Sequence, residues 1–363
     1  MGKQITYCCR EIIEIKMEQK KEIPWVHVVR ILACLLVVIL HSLPPLKQFS
    51  LGSGDRVFWD WIFAITRPCV PLFMMITGYL ILPIKELDFV SFYKKRIPRV
   101  LFPLLFWGVV YAIIPYFLGM YDARKMLVEL VTVPIKHPYA VGAILWYLFI
   151  LIGIYLVLPF ISPTVYKDKK MLRFYLVIWL VASVIFVIYD AMEGQLGFVP
   201  GAMLGKNPNI HTFDMLLYFT GYLGYFLLGA YIKLFFGQSK VTAINLGGVF
   251  LITLFVARFI PYVSDKFLSI NSIIMSATLF VLVSRVCIDI GSGIYKTIKF
   301  LSQQSFGIFL CHMVIYSCAT SRLYQAIGTM WWVQFVVMFT TFIGAVALSW
   351  AISLLPGKKY LIG

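Results

Sequence analysis

Charged residues are scarce in this sequence. Asp, Glu, Lys and Arg make up 13% of its 363 residues, whereas a soluble globular protein carries about a quarter. Hydrophobic residues account for 61%, and apolar runs recur from residue 25 to residue 355 without a polar interval long enough for a second domain. The composition excludes an ordinary soluble protein and predicts an all-α integral membrane protein.

The familiar signatures of soluble enzymes are also missing. The sequence contains no Walker loop and no HExxH, GxSxG or GxGxxG motif. Its seven cysteines form no CxxC pair, and five of them lie in apolar runs. We therefore expect small buried cysteines rather than a disulfide framework, and we expect no metal site.

Acidic residues are half as numerous as basic ones, at 16 against 32, which gives a formal net charge of +16. A helix needs about 20 residues to cross a membrane, and ten apolar runs qualify as predicted spans: residues 25–43, 61–83, 98–118, 143–160, 173–190, 213–236, 241–262, 269–290, 304–320 and 332–355. With the N-terminus in the cytoplasm, 22 Lys and Arg residues fall inside and 10 outside. This bias predicts that both termini are cytoplasmic, and it explains the basic charge without a nucleic-acid partner.

The predicted membrane domain covers residues 24–356. A polar cytoplasmic segment, residues 1–23, precedes it, and Met17 is a possible alternative start. Residues 357–363 are predicted to form a short cytoplasmic tail. No cleavage site follows the first apolar run, so we expect that run to be retained as a span.

The first span begins and ends with ionisable residues. Arg30 and His41 bracket ten apolar residues, and at 100° per residue they point to nearly the same helix face, about 16 Å apart along the axis. Alone, Arg30 is explained as an anchor at the cytoplasmic boundary and His41 as an interfacial histidine. Two ionisable groups on one stripe favour a polar path along this helix.

A second pair of basic residues lies at the cytoplasmic mouth of the third span. Arg96 and Arg99, in the segment YKKRIPR, are three residues apart and are predicted to share a helix face. The concentration of positive charge on the cytoplasmic side explains Lys94 and Lys95, and it can also explain the arginines. Because guanidinium groups suit phosphate oxygens, the pair is a candidate site for a phosphorylated donor.

The second span contains an arginine, two prolines and a Thr-Gly pair in the segment RPCVPLFMMITGYLI. Arg67 is expected to face the protein interior, and Pro68 and Pro71 are expected to bend the helix. Thr77 and Gly78 permit close approach of a neighbouring backbone. A bent packing helix with an interfacial arginine is the alternative interpretation.

His312, in SFGIFLCHMVIY, is expected about two turns into the ninth span from the cytoplasmic side. It is either an interhelical hydrogen-bonding residue or part of a site. Four acidic residues fall near the outer face, where one of them could orient an acceptor: Asp60, Asp190, Glu193 and Asp214.

Taken together, these stretches resemble acyltransferase family 3, the integral-membrane O-acyltransferases of bacterial surface polysaccharides. The matching pieces are Arg30-x10-His41, VPLFMMITGYL, Arg96-x-x-Arg99, LWYLFILIGIYLVLPF, YFLLGAYI and SFGIFLCHMVI. The likeness covers nearly the whole chain from about residue 24. The chain resembles the short form of the family, of which the enterobacterial common antigen O-acetyltransferase is one example.

The resemblance implies transfer of an acyl group, usually acetyl, from cytoplasmic acyl-CoA to a hydroxyl of a surface or lipid-linked glycan at the bacterial cytoplasmic membrane. It makes Arg30 and His41 the catalytic element and Arg96 and Arg99 the donor contacts. His41 would act as a general base or as a transient acyl carrier.

Arg67, Thr77 and His312 are further candidates for contacting the substrate or the oxyanion. Thr77 replaces the serine that the family usually has before this glycine, and the hydroxyl is kept.

A transporter or flippase of a lipid-linked sugar is the alternative function. Ten spans with Arg30, Arg67 and His41 along a path would also suit permeation. The sequence shows no internal repeat, and the series of motifs favours acyl transfer.

Overall fold

The computed structural model describes residues 22–82, 84, 88–136, 140–196, 210–236, 241–259, 269–286, 289, 291–320 and 331–363. Within these ranges all regular secondary structure is helical, which confirms the all-α class. The possible start at Met17 lies outside the described residues.

The helices are α1 (Pro24–His41), α2 (Gly54–Thr66), α3 (Cys69–Ile81), α4 (Phe89–Arg96), α5 (Pro98–Phe117), α6 (Ala123–Thr132), α7 (Trp146–Lys167), α8 (Lys169–Leu196), α9 (Ile210–Tyr231), α10 (Ala243–Phe259), α11 (Ile270–Ser284), α12 (Gly293–Ile315), α13 (Trp331–Ser353) and α14 (Lys358–Leu361). Two of them continue into π-helical turns, α9 at Ile232–Phe236 and α12 at Tyr316–Thr320.

The predicted spans coincide with helices, since each of the ten ranges overlaps at least one. By length and composition, six segments of the described chain can cross a membrane: Pro24–His41, Gly54–Ile81, Phe89–Phe117, Gly142–Pro163, Gly293–Cys318 and Trp331–Ser353. The chain is therefore a helical membrane protein. Ten crossings and cytoplasmic termini stay predictions.

Helix α12 lies parallel to α1. The Cys34 thiol donates a hydrogen bond to the Ser305 carbonyl at 3.6 Å, and further along both helices the ring centroids of His41 and His312 are 5.3 Å apart. The two ends of the bundle are named the Arg30 end and the His41 end after the residues that α1 places there. Helix α3 packs against α1, and α13 packs against α12.

The second predicted span is divided into two helices. α2 ends at Thr66 and α3 begins at Cys69, with Arg67 and Pro68 between them. Pro68 and Pro71 have no backbone N–H, so neither can donate the bond that would continue α2. The predicted bend is confirmed, and Arg67 stands at the break with only 5% of its surface exposed.

The ninth predicted span begins earlier than expected. α12 starts at Gly293 because Ser292 caps it, its Oγ accepting a backbone hydrogen bond in the first turn. His312 therefore lies nineteen residues beyond Gly293, about five turns into α12 rather than two, and its depth in the membrane stays a prediction. The longer helix carries this histidine to the opposite end of the bundle.

Helices α3 and α9 touch backbone to backbone. A Cβ at Gly78 would overlap the carbonyl of Phe226, and a Cβ at Gly229 would overlap the carbonyl of Met75. The predicted close approach at Gly78 is confirmed. Only glycine leaves room for this contact, which holds α3 in place beside α1.

Replacing Gly78 with alanine should destabilise the folded protein by about 1–3 kcal/mol, because the added methyl forces α3 and α9 apart. Thermal unfolding of the purified variant in detergent measures the loss. Gly247→Ala in α10 is the matched control, since no atom lies within 4 Å of a Cβ there. Equal melting temperatures for the two variants would contradict a tight contact.

Candidate functional site

A cavity of about 350 Å³ lies at the Arg30 end, between α1, α3, α5, α7 and α12. Its apolar wall includes Phe73, Leu151 and Phe309. The polar side chains that line it are Arg30, Thr77, Arg99, Tyr147, Tyr155, Ser302, Gln303 and Ser305. Cavities of this size with mixed lining are typical small-molecule sites.

Helical periodicity explains why these residues share one space. On α7, Tyr147, Leu151 and Tyr155 follow one another at four-residue intervals, and on α12 Ser302 and Phe309 are seven residues apart. Such spacing projects side chains from one helix face. Sequence reasoning did not single out the two tyrosines, although this four-residue spacing was the available signal.

Three arginines act electrostatically on one tyrosine of the cavity wall. Arg30 and Arg99 line the cavity, and together with Arg96 they act on Tyr155. Between α4, which ends at Arg96, and α5, which begins at Pro98, the backbone of Ile97 keeps the right-handed helical conformation. That Arg96 and Arg99 share a helix face stays a prediction.

Thr77 faces the cavity together with Arg30. Its hydroxyl donates a hydrogen bond to the Phe73 carbonyl at 2.7 Å. Tyr147 lines the same cavity and acts electrostatically on Arg30. Thr77 and Tyr147 are thus polar groups of one cavity wall.

Aromatic rings separate the cavity from the His41 end. Ring centroids are 6.3 Å apart for Phe73 and Tyr147, and 5.3 Å apart for Tyr147 and Phe309. These three residues are named the aromatic layer. Phe309 lies 6.1 Å from the ring of His312 on the far side. Among the described residues that line the cavity there is no histidine, so the aromatic layer forms its floor.

Beyond the aromatic layer, His41 and His312 face each other with ring centroids 5.3 Å apart. His312 is fully buried, and its Nδ1 lies 2.7 Å from the Phe309 carbonyl oxygen. Because a carbonyl only accepts, Nδ1 carries the proton and Nε2 presents a lone pair. Within the described chain Nε2 has no hydrogen-bond partner. The two histidine candidates are thus brought together.

Arg67 adds a buried positive charge to the His41 end. Its guanidinium carbon lies 3.7 Å from the centroid of the Phe63 ring, and it acts electrostatically on His41. A charge held in apolar surroundings acts more strongly than one in water. Arg67 and Thr77, which belonged to one predicted span, therefore serve opposite ends of the bundle.

Asp60 is held by two arginines. Its carboxylate oxygens lie 2.9 Å from Arg56 Nε and 3.7 Å from Arg258 Nη2. The first pair lies within α2, and the second joins α2 to α10. The side chains of the other three acidic candidates lie outside the described part of the structure.

The segment predicted as a tail is folded against the bundle. Trp107 Nε1 donates a hydrogen bond to the Leu361 carbonyl at 2.8 Å, and the rings of Phe102 and Tyr360 are 5.0 Å apart. Gly363 lines the cavity. Residues 357–363 are therefore part of the wall at the Arg30 end.

A polar network at the Arg30 end joins α1 to α12. Glu22 Oε1 lies 2.5 Å from Lys299 Nζ, and Glu22 Oε2 accepts a hydrogen bond from the Tyr295 hydroxyl at 3.0 Å. The hydrogen bond from Lys299 and then that from Tyr295 lower the pKa of the Glu22 carboxyl. His27 Nδ1 lies 2.9 Å from the Oγ of Ser302 in the cavity wall.

These features define a helical membrane protein with a basic cavity at one end and paired histidines at the other. A family model described as an acyltransferase domain matches residues 23–351. The chain belongs to acyltransferase family 3 and is a membrane acyltransferase. No curated protein and no solved structure matches it.

The ion pair between Glu22 and Lys299 should stabilise the protein at neutral pH and lose its effect in acid. The pKa of Glu22 is lowered by folding, so its contribution is present above the ordinary carboxyl pKa of about 4.3 and disappears as the pH falls through the lowered value. Melting temperatures of the parent and of Glu22→Gln should differ slightly at pH 7 and converge below pH ~4.

Lys299→Met should reproduce the loss at pH 7. Lys296→Met, one turn earlier on the same helix, should not, because Lys296 has no ion pair in the described chain. A difference in melting temperature between parent and Glu22→Gln that persists unchanged in acid would show that the ionised Glu22 carboxylate is not its cause.

Proposed function

We propose that this membrane acyltransferase moves an acyl group, most simply acetyl, from cytoplasmic acyl-CoA to a hydroxyl of a surface or lipid-linked polysaccharide at the bacterial cytoplasmic membrane. The observation that carries this proposal is the geometry of α1, which joins an arginine-lined cavity at Arg30 to a histidine pair at His41. In this proposal the Arg30 end faces the cytoplasm, as the distribution of Lys and Arg predicts.

The Arg30 end suits the donor. Arg96 and Arg99 at the mouth are guanidinium forks that can bind the phosphates of coenzyme A, and Arg30 extends the positive charge inward. A cavity of about 350 Å³ suits the narrow pantetheine arm, with the nucleotide left at the mouth. Thr77 and Tyr147 line this channel.

The thioester then has to reach His41, about 16 Å from Arg30 along the axis. The aromatic layer lies on this route, with Phe309 between the cavity and His312. Donor binding therefore has to move rings of this layer. A small acyl group passes between these rings most easily, which favours acetyl.

The chemistry at the His41 end is a proton-coupled acyl transfer. His41 as general base accepts the proton of the acceptor hydroxyl while the oxygen attacks the thioester carbonyl. The tetrahedral intermediate collapses with cleavage of the C–S bond, and the coenzyme A thiolate leaves and takes up the proton from His41. In the alternative route His41 itself attacks, carries the acyl group, and passes it to the hydroxyl.

Arg67 supplies the fixed positive charge that this step requires. It acts electrostatically on His41 and is buried, so it can stabilise the negative charge that develops on the carbonyl oxygen. His312, adjacent to His41, keeps a lone pair available near the reacting groups.

Replacing His41 with alanine should reduce transfer of labelled acetyl from acetyl-CoA to glycan in membrane vesicles by about 10²–10⁴-fold, because the attacking hydroxyl loses its base. The variant should express and melt like the parent. Undiminished transfer at normal expression would exclude both routes through His41.

Replacing Arg96 and Arg99 together with alanine should raise the KM for acetyl-CoA about tenfold or more, because charge-assisted hydrogen bonds to phosphate are lost. Lys94→Ala with Lys95→Ala is the matched control. These lysines carry the same charge on the same segment, but unlike the two arginines they do not act on Tyr155 in the cavity wall.

An unchanged KM for acetyl-CoA in the arginine variant would show that the donor does not bind at Arg96 and Arg99. An equal rise in the lysine control would show that only general surface charge attracts the donor. A transporter would instead show no dependence on coenzyme A.

A further inference from the structure

Four buried polar atoms at the His41 end have no hydrogen-bond partner among the described residues. They are Ser42 Oγ, His312 Nε2, Gln334 Oε1 and Thr341 Oγ1. Each of these residues is at most 1% exposed. A polar atom buried in a protein has given up its bonds to water, so native structures pair nearly all such atoms.

Two of these atoms stand beside the reacting group. Ser42 follows His41 directly at the end of α1, with its backbone N–H bonded to the Val38 and Ile39 carbonyls. His312 faces His41 across 5.3 Å between ring centroids. The hydroxyl of Ser42 and the lone pair of His312 therefore border the same region.

The other two belong to α13, which runs antiparallel to α12. A hydrogen bond of 2.8 Å from Ser349 Oγ to Gln304 Oε1 fixes the register near the Arg30 end, and a Cβ at Gly344 would contact Ile315 near the other end. This register places Thr341 within about one turn of the level of His312. Gln334 lies on the same face, two turns further out.

The hydroxyl of Thr341 makes no hydrogen bond within its own helix. Its neighbour Thr340 donates to the Val336 carbonyl at 2.7 Å, a common arrangement for threonine in a helix. Ser349, on the same buried face as Thr341, is also paired. The buried face of α13 thus pairs its polar group at the Arg30 end and leaves Thr341 and Gln334 unpaired at the His41 end.

We propose that Ser42, His312 and Thr341 bind hydroxyl groups of the acceptor sugar and hold one of them against His41, and that Gln334, two turns further out, binds the acceptor glycan beyond that sugar. The inference rests on the proposed acyl transfer. Gln334 Oε1 and His312 Nε2 can only accept hydrogen bonds, whereas the two hydroxyls can donate or accept. This set matches a polyhydroxyl ligand, which does both, and it disfavours a phosphate or carboxylate, which only accepts.

The location separates the two substrates. The donor enters through the cavity at the Arg30 end, and the acceptor occupies polar positions on the opposite side of the aromatic layer. His41 lies between them, in contact with the acceptor positions through Ser42 and His312. The thioester and the hydroxyl therefore meet only at the imidazole.

The test uses the full chain in lipid nanodiscs with methyl glycosides of glucose, galactose, mannose and N-acetylglucosamine as probes. Glycoside binding is measured without acyl-CoA, and labelled acetyl transfer is measured with acetyl-CoA. Thr341→Val should weaken binding of the best glycoside and raise its KM about tenfold, the worth of about one hydrogen bond. The KM for acetyl-CoA should not change.

The variant should also keep the melting temperature of the parent, because valine replaces an unpaired hydroxyl with a methyl of similar size. Thr341→Ser, which keeps the hydroxyl, should bind glycosides like the parent. Thr340→Val is the matched control on the neighbouring face and should leave both KM values unchanged.

The proposal is overturned if no glycoside binds the parent, if Thr341→Val binds as tightly as the parent, or if Thr340→Val loses as much affinity. One further outcome would contradict the proposed acyl transfer and leave the sugar site intact. Glycoside binding that depends on Thr341, in a protein that transfers no acetyl from acetyl-CoA, supports the sugar site and refutes the acyl transfer.

Discussion

The parallel packing of α1 against α12 is the constraint on which every functional feature of this structure depends. It sets His27 beside Ser302 near one end and His41 beside His312 at the other. Because both helices advance 1.5 Å per residue, one register decides both contacts. A shift of one turn would separate the histidines and would also displace Ser302 from the cavity beside Arg30. The Arg30 end and the His41 end are therefore coupled through a single interface.

The break between α2 and α3 is the second feature that positions the residues of the site. α2 ends at Thr66 and α3 begins at Cys69, because Pro68 and Pro71 have no backbone N–H to continue the hydrogen bonds of α2. Arg67 lies buried at this break and acts on His41, whereas Thr77 lines the cavity at the Arg30 end. The contact of Gly78 with α9 secures α3 in this position. The missing N–H of proline thus ends α2 beside Arg67, and the missing side chain of glycine lets α3, which carries Thr77, pack against α9.

The two ends differ in kind as well as in position. Arg30, Arg96 and Arg99 all act on Tyr155 of the cavity wall, a chemistry suited to an anionic ligand. Among the described residues, the His41 end presents hydroxyl, amide and imidazole atoms with unsatisfied hydrogen bonds, a chemistry suited to a neutral polyhydroxyl ligand. The rings of the aromatic layer lie between these two environments.

Apolar composition and helical periodicity are local properties, so the sequence by itself determined the helical membrane class, the positions of the helices, and the common face of Arg30 and His41. It also marked the bend at Pro68 and the close contact at Gly78. Only the tertiary structure decided that His312 lies beside His41, that Tyr147 and Tyr155 line the cavity at the Arg30 end, and that α13 presents polar atoms unpaired within the described chain. These features depend on contacts between helices that are far apart in the sequence. Such contacts are set by how the helices pack, and no periodicity or spacing within a single sequence specifies that packing.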